Sequence, residues 1–274
     1  MAVRIMAAAL LLSCSAARPP SQQAGESCSP SAALRSEHAR ASCLAKAWST
    51  TGTCHASRFA GRCGVIAAVT DRAGGAPVIV QVPAGGGPAA APTATFGLET
   101  LFEIASNTKV LTAIAFHCLV ARGELRLNDT LAELLPPTVH FANASVGSIR
   151  MDELLSHTSG LARLPSNLHG TPQNQFTNYT AADLYSYLSS VPNLPTRGSF
   201  LYSNLAFGLL GHLMELKTGR GYEEIVTFEV LAPLGMGDTK ITLTPAAWRS
   251  QVAPGLDSKG QRAERNTPCK SCDT

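Results

Sequence analysis

Charge of one sign is what this chain of 274 residues lacks, since 22 lysines and arginines face 19 acidic residues. So balanced a surface leaves no electrostatic footprint for nucleic acid or for a polybasic membrane patch, and neither is expected as a partner. Charged residues make up only 15% and aromatics 6%, while 45% of the chain is hydrophobic. That is too apolar for a disordered polymer. Beyond the N-terminus no run approaches the roughly eighteen uninterrupted apolar residues of a membrane span, so a soluble chain of one large or two modest domains is expected.

The one compact apolar run, Ile5 to Leu12, follows Arg4 and precedes Ser15-Ala16-Ala17 and the helix-breaking Arg18-Pro19-Pro20. It is too short to span a bilayer and reads as a signal peptide over residues 1–17, which predicts a secreted or periplasmic protein. A loose lipoprotein-type site at Cys14 and an organelle transit peptide, suggested by the acid-free stretch before Glu26, are the alternatives. In an exported chain Cys28, Cys43, Cys54 and Cys63 can form two bridges of unreadable connectivity. Cys118 falls in an apolar helical pattern and is expected to be a small core residue. Cys269-x-x-Cys272 lacks the second ligand pair that structural zinc needs, so no metal and no cofactor are expected.

Along the chain, residues 18–59 read as a Cys-containing segment with a helix near 32–48, and residues 60–110 as the start of an α/β domain. The β-branched runs Gly64 to Thr70 and Val78 to Val82, separated by turn residues, predict a hairpin. Residues 111–245 read as mostly helical. Val110, Leu111, Ile114, Cys118 and Ala121 mark an apolar helix face ended by Gly123, and helical segments follow at Asp152 to Leu155, Ala181 to Leu188 and Leu205 to Leu216. Residues 246–274 read as a shortened return to the α/β layer.

Two short strings carry chemistry. In Ser106-Asn107-Thr108-Lys109 the hydroxyl and the amine stand one helical turn apart on one face. A partly desolvated lysine there can accept the serine proton and make a nucleophile of it. In Tyr202-Ser203-Asn204 a phenol beside that ammonium would favour its phenolate and could act as general base, while Asn204 offers a donor and an acceptor. Each string alone also fits a capped helix start.

Taken in order with Leu154-Leu155-Ser156-His157-Thr158-Ser159-Gly160-Leu161, and with Gly221-Tyr222 followed by Pro233-Leu234-Gly235-Met236-Gly237, they give a combination that resembles the serine β-lactamase and penicillin-binding-protein superfamily. The resembling branch contains class C β-lactamases, D-alanyl-D-alanine carboxypeptidases, D-aminopeptidases and esterases, and the likeness covers roughly residues 60 to 240. The resemblance implies an α/β (α+β) β-lactamase-like fold, an antiparallel sheet layer with an inserted helical domain. It makes Ser106 the acylated nucleophile, Lys109 its activating partner, Tyr202 the general base and Asn204 a contact for substrate and lysine. His157 falls in a string that the family uses as a structural turn. The implied substrate is a small molecule or peptide: a β-lactam, a D-amino-acid peptide or a small ester.

The same resemblance calls for a Lys/His-Thr/Ser-Gly triplet on a strand beside the serine. Lys217-Thr218-Gly219 spells it, but at the far end of an apolar helix, about 20 Å from Asn204 at ~1.5 Å rise per residue. It reads as a helix stop. The expectation is therefore a C-terminally truncated family member with an incomplete sheet, or alternatively an inactive one.

Overall fold

The computed structural model describes residues 64–69, 78–83, 100–170, 175–176 and 178–242. The expected leader, the N-terminal helix, every cysteine except Cys118, and the chain beyond residue 242 lie outside these residues. The chain divides into two compact units, one built from residues 1–104 with 243–263 and the other holding the described residues 105–242.

In the first unit, β1 (Gly64–Val69) and β2 (Val78–Pro83) form an antiparallel pair, in register from Gly64 opposite Pro83 to Val69 opposite Val78. Five of the six residues of β1 and four of the six of β2 are apolar, most of them β-branched, the exceptions being Gly64, Gln81 and the terminal Pro83, a composition suited to a pleated surface. Pro83 stands at the end of the ladder, where its missing N–H disturbs least. This hairpin is the portion of the expected sheet layer that the described residues contain.

The second unit is helical. A 3₁₀ turn, Ala105–Asn107, leads into α1 (Thr108–Ala121), and α2 (Leu131–Leu134), α3 (Ala144–Gly147) and α4 (Met151–Leu155) follow. Then come α5 (Ala181–Ser190), α6 (Asn204–Thr218) and α7 (Tyr222–Val226), which runs on as a π-helical turn over Thr227–Leu231. Local chemistry sets several of the starts. Thr130 donates through its amide and its hydroxyl to Glu133, at 2.7 and 2.8 Å, opening α2. Thr180 and Asp183 exchange backbone and side-chain hydrogen bonds in the same way at α5. At the end of α1, Gly123 takes φ 74° and donates to the Val120 carbonyl, the left-handed stop its sequence position suggests.

Phe116, Leu119, Leu154, Leu188, Leu209, Leu210 and Leu213 are completely buried and belong to one core cluster that α1, α4, α5 and α6 share. The buried face of α1 is a correction to the periodicity. Thr112, Ala115, Phe116 and Leu119 face the core, while Val110 (58% exposed) and Ile114 (43%) do not, and Cys118 is half-buried with a free thiol. The helix is apolar on more than one side, so spacing alone does not select the side that packs. Beside α6, Gly211 leaves room for the Tyr222 ring, which would lie 3.2 Å from any Cβ there.

Arg197 fastens the short elements together. Its guanidinium makes a two-pronged pair with Glu153 of α4 (2.7 and 2.8 Å) and donates to the Ser145 and Ser148 carbonyls around α3. Burial pushes the Glu153 carboxyl up, but hydrogen bonds from Arg197 and the Arg150 amide outweigh it and hold the group below the usual carboxylate range.

Candidate active site

Ser106, Lys109, Tyr202 and Asn204 come from two distant stretches of chain and meet in the helical unit. Ser106 lies in the 3₁₀ turn, directly after Ala105, whose φ of 46° is unusual for a residue with a side chain. One turn later Lys109 starts up α1. The serine is exposed and the lysine half-buried.

The other half is built by Ser203. It is fully buried and extended (φ −128°, ψ 119°), and its hydroxyl donates to the Ala162 carbonyl at 2.7 Å while accepting the Ala206 amide at 2.9 Å as the N-cap of α6. Side chains alternate across an extended residue, so fixing Ser203 inward turns Tyr202 and Asn204 outward together. Tyr202 Oη then lies 2.6 Å from Ser106 Oγ. Lys109 Nζ donates to Asn204 Oδ1 at 2.9 Å and reaches Ser106 Oγ at 3.4 Å. It also sits 4.9 Å from the centre of the Tyr202 ring.

Burial pushes the Tyr202 phenol up. Hydrogen bonds with Lys109 and Ser106 and the positive charges of Lys109 and Arg163 outweigh that effect, leaving it below the ordinary tyrosine range. A phenol so placed can take a proton from Ser106 and later return one. With Oδ1 engaged by the lysine, the Asn204 amide NH₂ is the end left to donate to an incoming carbonyl.

Residues 157–163 support this arrangement; the family resemblance assigned His157 to a structural turn but did not single out Arg163. His157, φ 58°, accepts the Leu201 amide on its carbonyl (2.8 Å) and the Ser203 amide on Nδ1 (3.1 Å), which requires the ring proton on Nε2. Its ring lies 4.7 Å from that of Tyr202 and 4.9 Å from that of Phe207. Burial and the Lys109 charge both push its basicity down. Arg163 presents its carbonyl to the Asn204 amide at 3.0 Å and its guanidinium to the Tyr202 ring at 5.0 Å. The Leu-Ser-His-Thr-Ser-Gly-Leu string was the signal, since a turn rich in Ser, Thr and Gly before an apolar residue invites backbone pairing. Nothing in the spacing announces Arg163.

Lys217 and Thr218 occupy the last turn of α6, and Gly219 closes it at φ 68° with its amide on the Glu215 carbonyl. The triplet that spells a substrate-binding motif ends a helix instead. Among the described residues no group of three or more metal-ligating side chains occurs, and no helix is long and apolar enough to cross a membrane.

A family model described as Beta-lactamase matches residues 60–268. The chain is 33% identical over 150 residues to the D-alanyl-D-alanine-carboxypeptidase/endopeptidase AmpH of Escherichia coli K12, a match covering 54% of this chain and 38% of that protein. It is 31% identical over 177 residues to Protein flp of Staphylococcus aureus MW2, covering 63% of this chain and 33% of the relative. The chain thus matches well under half the length of these relatives. Among solved structures, a β-lactamase/D-alanine carboxypeptidase from Yersinia pestis complexed with citrate superimposes with a TM-score of 0.61 at 25% identity, over 78% of this chain and 58% of that one. A class C β-lactamase from Rhodobacter sphaeroides gives a TM-score of 0.60 at 25% identity, over 77% and 54%.

Proposed function

The chain belongs to the β-lactamase family and has a β-lactamase-like fold, and on that premise we propose that it is a serine hydrolase working by acyl transfer through Ser106. The observation that carries this reading is the 2.6 Å approach of Tyr202 Oη to Ser106 Oγ, with Lys109 Nζ held beside both by Asn204. In the proposed first half-reaction the Tyr202 phenolate takes the hydroxyl proton as Ser106 Oγ bonds to the substrate carbonyl carbon. The proton then passes from Tyr202 to the leaving group as its bond to that carbon breaks, and Ser106 is left as an ester. In the second half water attacks the ester, gives its proton to Tyr202, and the Ser106 oxygen leaves with a proton returned by the phenol. Lys109 stays close to the phenolate throughout and steadies its charge. The Asn204 amide NH₂ orients the substrate carbonyl or amide.

The substrate is a D-amino-acid peptide or small ester in preference to a β-lactam, and no cofactor is required. The name of one relative, a carboxypeptidase/endopeptidase, fits this preference, and that of a class C β-lactamase keeps a β-lactam within the range. The N-terminal leader pattern supports action outside the cytoplasm, in the periplasm or medium, with an organelle as the alternative. A catalytically inactive family member is the second reading, favoured by the use of Lys217-Thr218-Gly219 to end α6.

Exposure of the purified chain to a labelled fluorophosphonate and to a labelled penicillin tests the proposal. A covalent adduct that disappears in Ser106→Ala supports it. Folded protein that takes up neither label sinks it in favour of the inactive reading.

A further inference from the structure

We propose that Arg163 is a positioning residue that acts through Tyr202, its guanidinium lying against the ring and favouring the phenolate that takes the serine proton. This rests on the reading of Tyr202 as the base.

Three observations carry it. First, the residue is fixed at the site by its backbone. Its carbonyl accepts the amides of Asn204 (3.0 Å) and Leu205 (3.3 Å) in the first turn of α6, and Leu161 and Pro165 on either side are buried. The residue is exposed, and its guanidinium lies 5.0 Å from the Tyr202 ring centre. Second, its charge is not committed elsewhere, because among the described residues the guanidinium makes no ion pair. Arg220 provides the contrast: it lies 5.9 Å from the Phe228 ring but is paired with Glu124 and Glu229. Third, the attraction grows when the phenol ionises, since a cation near a ring is held by its electron density and a phenolate carries a full negative charge. A contact stronger in one protonation state than the other shifts the balance between them.

The groups around Tyr202 agree with this. Ser106 from the 3₁₀ turn, Lys109 from α1 and His157 from the turn after α4 face it, together with Arg163, while Asn204 of α6 holds the lysine. Among the described residues the charges acting on the phenol, Lys109 and Arg163, are both positive. His157, its basicity pushed down by burial and Lys109, adds no charge where a tyrosine ionises.

The test is an ultraviolet difference titration of Tyr202, taken against Tyr202→Phe, in the otherwise native chain and in Arg163→Gln and Arg163→Lys. The pH dependence of Ser106 labelling by fluorophosphonate is measured alongside. At solvent-screened range the expected upward shift in Arg163→Gln is about half to one pH unit, a three- to tenfold change in ionisation. Labelling should slow about three- to tenfold at neutral pH and converge with the parent in alkali, where both phenols are ionised. Arg163→Lys should recover most of the shift. A Tyr202 titration unchanged in Arg163→Gln, or a labelling deficit equal at every pH, overturns the proposal. If Ser106 takes no label even in the parent, the hydrolase reading fails, and the spectroscopic titration still decides the role of Arg163.

Discussion

Helix α6 carries a polar cluster at each end, and the two are built on opposite principles. At its C-terminal end Arg122 and Arg220 are interlocked with Glu124 and Glu229, two cations against two carboxylates. Glu229 is almost fully buried and is held below the usual carboxylate range, first by hydrogen bonds from Arg122. At the N-terminal end Lys109 and Arg163 surround a phenol, and that end of a helix already carries partial positive charge. A cluster that only holds structure together cancels its charges. One that, among the described residues, leaves them uncancelled suits a group that becomes negative, which on the proposed reading is Tyr202 or the oxygen developing on Ser106.

Removing the N-terminal cation should have the largest effect. Lys109→Met is expected to lower the rate of Ser106 labelling by at least about 10³-fold with little change in melting temperature, because it deletes the charge beside both reacting oxygens. Labelling within tenfold of the parent would put the two ends of α6 on an equal footing.

Next comes the brace under the site. Arg197 packs its backbone against Gly160, which has φ 75° and leaves no room for a Cβ, and Gly198 donates to the Thr158 carbonyl. Arg197→Ala should destabilise the chain by about 2–3 kcal/mol in denaturant titration, since it strands the mostly buried Glu153. The Glu153 carboxyl titrates lower when folded than when unfolded, so the pair's stabilisation is complete above the ordinary carboxylate range and is lost as pH falls through the folded value. The parent should therefore lose its advantage over Arg197→Ala in acid, and an advantage that persists there would assign the effect to packing alone.

At the C-terminal cluster the effects should be smaller and purely structural. Glu229→Gln is expected to cost about 1 kcal/mol, because its partner Arg122 is well exposed to screening solvent, and to leave Ser106 labelling unchanged. Lys217→Ala, at the triplet that imitates a binding motif, should alter neither labelling nor melting temperature by more than the error of measurement. A loss of labelling without a loss of stability in either variant would show that this end reaches the chemistry after all.

How far the sequence disclosed these features depended on whether they are local. The hairpin, α5, α6 and the stop at Gly123 were legible because β-branching, apolar runs and glycine act over a few residues. The short helices α2 and α3 were not legible, for at four residues each they depend on caps and tertiary packing more than on periodicity. Ser106, Lys109, Tyr202 and Asn204 could be selected together because a family pattern ties separated strings to one another. His157 and Arg163 reach Tyr202 across a turn whose left-handed residue and backbone pairings no spacing rule encodes. Spelling alone also misleads, as Lys217-Thr218-Gly219 demonstrates: a lysine in the last turn and a glycine after it are what a helix end favours electrostatically and sterically.

The buried Ser203 implies that the middle letter of Tyr-x-Asn is not free in this chain. The position must accept the Ala206 amide, donate to the Ala162 carbonyl and fit where no solvent reaches. Serine satisfies all three conditions. Alanine would satisfy only the last, releasing the first turn of α6 and with it the shared orientation of the phenol and the amide. The interval between Tyr202 and Asn204 is kept by a side chain buried away from both, so the alphabet allowed there is set by folding, while on the proposed reading the letters on either side answer to chemistry.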